Sequence, residues 1–180
     1  MPLNTPEKQE LLNALLHTND LHLVVEQASA VLKNPVAVID GASQTLAKSG
    51  TPRTVPAASW AGKPEGARWN YDLVARVNKL IDSHGNPRSQ PMLLTGVGES
   101  RRRLESLVQD DVFLGFMCAL EVETPLEEGS EENYALVREV LAKALAMHRA
   151  LRFHSRAGHA EGILTDLFNN RFNDRLLFRE

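Results

Sequence analysis

Cysteine occurs once in the 180 residues, at Cys118. A lone thiol excludes an intrachain disulfide framework and a cysteine-built metal centre, and it fits a reducing cytoplasm. No run approaches the roughly 20 apolar residues that span a bilayer, and the polar start from Met1 to Lys8 lacks the apolar core of a secretion signal. A soluble cytoplasmic domain with no membrane contact is expected. Positive charge is not in excess: 20 Lys and Arg stand against 23 Asp and Glu, for a net charge of −3. A chain that itself grips nucleic acid carries a basic face. The histidines, His17, His22, His84, His148, His154 and His159, show no metalloprotease spacing and no pairing with cysteine. No metal, redox group or other cofactor is expected. There is no Gly-x-Ser-x-Gly elbow and no nucleophile–base set, so no enzymatic activity is expected. The stretch Thr95 to Ser100, TGVGES, places Glu99 where a phosphate loop needs lysine, so it reads as a turn between strands.

What is present is material for one core, since 43% of the residues are hydrophobic and the length suits a single domain better than two. Thr5 with Pro6 opens a first helix bearing Leu11, Leu12, Leu15 and Leu16. Asn19 or Asp20 caps a second, with Leu21, Val24, Val25, Ala28, Val31 and Leu32 at helical spacing, stopped at Asn34-Pro35. Val36 to Ile39 is a β-branched strand, Asp40-Gly41 a turn, and Gln44 to Lys48 the return of a hairpin. Residues 50–69 are broken by Gly50, Pro52, Pro56, Gly62, Pro64 and Gly66, and carry Trp60 and Trp69. A long loop of this kind is often functional. A helix is expected from Asn70 to Ser83, then strands from Pro91 to Thr95, Arg101 to Val108 and Val112 to Val122. The last of these is almost wholly apolar and belongs at the centre of a sheet. A long helix from Thr124 or Ser130 to about His154, a break at Gly158 and a final helix to Phe168 complete an α+β chain with an antiparallel sheet of about five strands.

The helix–NPVAVID–hairpin start, the strand DDVFLGFMCALE and the long helix after TPLEEGSEEN resemble a GAF-like sensor domain. The closing run from Ala160 to Glu180, AEGILTDLFNNRFNDRLLFRE, is similar to the junction that follows the N-terminal sensor in PucR/CdaR-type bacterial transcription regulators. The resemblance implies a sensor and dimerisation domain at 1–156 and a helical junction at 157–180, leading to a helix-turn-helix that this chain does not contain. It implies a small-molecule effector between sheet and covering loop, a homodimer, and DNA contact only through that missing part. The runner-up is a purely structural GAF-like dimerisation module without a ligand.

Candidate ligand contacts are Trp60, Trp69 and Tyr71, whose rings can stack on a planar ligand or cage a cation. The simpler alternative is that the tryptophans pin their loop to the sheet. In the triplet Arg101-Arg102-Arg103, strand alternation puts Arg102 on the face of Leu104 and Ser106, and Arg101 and Arg103 on that of Glu105 and Leu107. Arg102 is the candidate to hold a carboxylate or phosphate, against the plainer reading of a solvated strand end. On the long helix, Tyr134, Val137, Leu141, Ala144, His148 and Leu151 recur in steps of three and four. Beside them run Leu136, Val140, Met147 and Ala150. The first stripe is the candidate dimer contact, and the alternative is a helix buried broadly by its own domain.

Overall fold

The computed structural model describes residues 5–50, 91–95 and 100–173, together with Ala75 and Lys79, both helical and exposed; for 153–173 it gives the helical path alone. Trp60, Trp69, Tyr71 and the TGVGES turn therefore lie outside the described residues, in whole or, for the turn, at 96–99. The elements are α1 (Pro6–His17), α2 (Leu21–Leu32), β1 (Val36–Asp40), β2 (Thr45–Lys48), β3 (Met92–Leu94), β4 (Arg102–Gln109), β5 (Val112–Leu120) and α3 (Glu131–Asn173). The strands form one antiparallel sheet of order β2-β1-β5-β4-β3. The apolar β5 is its middle strand, as its composition predicts. The chain divides into two compact units, 1–146 and 147–180, and the sheet belongs to the first.

Local chemistry sets the boundaries. Pro6 sits in the first turn of α1, where its missing N–H costs nothing. Asp20 caps α2 by accepting from the His22 backbone N–H at 2.9 Å, and Lys33 ends it in the left-handed conformation at φ 53°. Asn34, read from the sequence as part of a helix stop, does more. Its Oδ1 accepts from the backbone N–H groups of Val122, Glu123 and Thr124 at 3.0, 3.0 and 3.3 Å, and its Nδ2 donates to the Thr124 carbonyl at 2.7 Å. One buried amide thus ties the end of α2 to the exit of β5. Gly115 in β5 has φ 154°, and a Cβ there would run into the Ile39 carbonyl oxygen, so β1 and β5 pair closely only because it is glycine.

Alternation along the strands divides the buried residues between two faces. On the first, Val36, Val38, Leu107, Met117 and Ala119 join Leu11, Val25, Ala28, Tyr134, Val137, Leu141 and Leu145 of the helices in one cluster. On the second, Ile39, Leu94, Leu104 and Cys118 form a separate buried cluster flanked by Met92 and Phe116, with Ala37 and Leu120 also buried.

Two expectations are corrected. No break occurs at Gly158: α3 is one helix from Glu131 to Asn173. A single glycine costs a helix about 1 kcal/mol, too little to stop it. The helical stripe is also spent differently. Tyr134, Val137, Leu141 and Ala144 are buried in the chain's own core, because the same spacing that suits a partner helix suits a sheet and two preceding helices. They present no surface to a second copy. His148 is half-buried, and Leu151 is exposed.

Candidate functional site

Arg102 and Arg103 are consecutive in β4, so they leave the sheet on opposite faces. Both are buried, at 4% and 5% exposure, which corrects the reading of a solvated strand end. What surrounds each is opposite in character.

Arg103 is fully engaged. Its Nε donates to Glu105 Oε1 at 2.7 Å, and Nη1 and Nη2 donate to the two carboxylate oxygens of Glu131, each at 2.7 Å. Its guanidinium carbon lies 3.8 Å from the centroid of the Tyr134 ring. Glu105, itself buried, also accepts from Arg138 Nη1 at 3.4 Å. The first two turns of α3 are therefore fastened to β4 by a bidentate ion pair and a cation–π contact, two of the stronger polar interactions available. Burial works against the Arg103 charge, but the hydrogen bond to Glu131 and the charge of Glu105 hold its pKa above the ordinary value. The same Arg103 hydrogen bond holds Glu131 below the usual carboxylate range. At the start of the strand Arg101 pairs with Glu127 and, at 3.4 Å, with Glu121. Glu121 in turn accepts from the Leu126 backbone N–H at 3.0 Å. The acidic stretch from Glu121 to Glu132 was legible as favourable charge near a helix N-terminus. Its pairing with every second arginine of the triplet was the signal left unread.

Arg102 is the converse. It lies opposite Leu120 of β5 and Leu94 of β3, on the face of Leu104 and Cys118. Its Nε is buried without a hydrogen-bond partner, and no carboxylate among the described residues pairs with it. Cys118 feels its charge: burial pushes the thiol up to about 12, with the Arg102 charge pulling the other way. The thiol stays protonated and unreactive near neutral pH. Among the described residues no group of three or more His, Cys, Asp or Glu is placed to hold a metal ion, and no helix is long and apolar enough to cross a membrane. Of the sequence-derived ligand candidates, then, Arg102 alone is described, and it stands over an apolar floor.

No family model and no curated protein matches this chain. Solved structures resemble it at low identity. The GAF domain of the cyanobacteriochrome TePixJ has a TM-score of 0.47 and 14% identity, over 77% of this chain and 95% of that one. The GAF domain of an Acinetobacter phosphoenolpyruvate-protein phosphotransferase has 0.47 and 11%, over 82% and 98%. The E. coli DhaR(N)–DhaL complex has 0.40 and 16%, over 90% and 54%. The chain is similar in fold to these domains, and the likeness stops at fold.

Proposed function

We propose that this chain is the small-molecule-sensing domain of a PucR/CdaR-type transcriptional regulator, without catalytic activity. It works as a homodimer, and DNA is contacted by a helix-turn-helix outside these residues. One observation carries the sensing role: Arg102 is a buried cation on the second face of the sheet, and no carboxylate among the described residues pairs with it. An uncompensated buried charge costs several kcal/mol. A module that only holds two chains together has no use for that cost, whereas a receptor recovers it when its ligand arrives. The neighbouring Arg103 grips Glu131 at the start of α3, so β4 carries the receptor group on one face and the helix clamp on the other. An effector that favours one setting of β4 biases the grip on α3, a population shift rather than a new contact. Because Tyr134, Val137, Leu141 and Ala144 are committed to the core, the dimer surface is assigned to other residues, with exposed Met147 and Leu151 the candidates on α3.

The test is a melting-temperature screen over purines, amino acids and small organic acids, followed by hydrogen exchange with any compound that stabilises. Slower or faster exchange in the first turns of α3 is expected at saturation. Unchanged exchange there sinks the relay through β4.

A further inference from the structure

We draw no further inference here: the strongest candidate, the outer face of the α1–α2 helix pair, where Leu12, Leu16 and Leu23 are exposed, carries nothing because nothing in the structure shows what covers it.

Discussion

Tyr134 sits with its ring under the Arg103 guanidinium and its hydroxyl buried without a hydrogen-bond partner. The ring does the packing, and the hydroxyl is a net cost, because a buried donor gives up water and gains nothing. Burial likewise pushes the phenol's pKa above its ordinary value. Tyr134→Phe is therefore expected to leave stability unchanged or raise it by about 1 kcal/mol, read by urea unfolding. A loss of similar size would mean that the hydroxyl has a partner after all. The residue scale is also where the sequence was least legible. Asn34 looked like a helix stop. Its amide instead holds Val122, Glu123 and Thr124, which lie 88–90 positions away, a distance no local pattern reaches. Alternation correctly separated Arg102 from Arg103, but it gives no burial, and burial is what sets the paired Arg103 apart from Arg102, whose Nε is buried without a partner.

Elements were more legible, because each announces itself within a short window. The NPVAVID strand, the Asp40 turn and the apolar β5 are set by β-branching and turn chemistry, and all lie where the pattern puts them. The exception is α3, where a glycine was read as a stop although its helical penalty is small. The hairpin between β4 and β5 shows a local compromise. Its turn residues Asp110 and Asp111 both have positive φ, 49° and 61°, a geometry that suits Asn-Gly better. The double change Asp110→Asn with Asp111→Gly is expected to raise stability by about 1 kcal/mol, measured by thermal or urea unfolding. The clamp on α3 has a pH signature. Arg103 holds Glu131 below its ordinary pKa of 4.5. The unfolded chain therefore takes up that proton first as pH falls. The clamp's contribution is fully present above about pH 4.5 and is lost as pH drops through the lowered folded value. Glu127, Glu139 and Glu7 are lowered in the same direction, so the wild type declines in acid through several steps. In Glu131→Gln one step is missing. Its melting temperature should start lower at neutral pH and fall less steeply below pH 4.5, and parallel curves for the two proteins would refute the clamp.

At the scale of the molecule, one sheet faces two ways. Its first face is a finished core, where α1, α2 and the start of α3 cover Val36, Val38, Met117 and Ala119 and the polar groups of Arg103, Glu105 and Glu131 are paired. Its second face carries the buried Ile39, Leu94, Leu104 and Cys118 together with Arg102, which pairs with no carboxylate among the described residues. The fold class was legible because the hydrophobic pattern states it. The setting of Arg102 was not, since it depends on what three strands bring to one place. A chain under selection for stability alone would carry methionine or leucine at that position. The most direct test of the role proposed for Arg102 is the ligand-free stability of Arg102→Met, measured by equilibrium urea unfolding beside the wild type. A variant as stable as the wild type, or more stable by about 1–3 kcal/mol, is the predicted result. A loss of about 2 kcal/mol or more would contradict it, because Arg102 would then be holding the fold together, against the sensing role proposed for it.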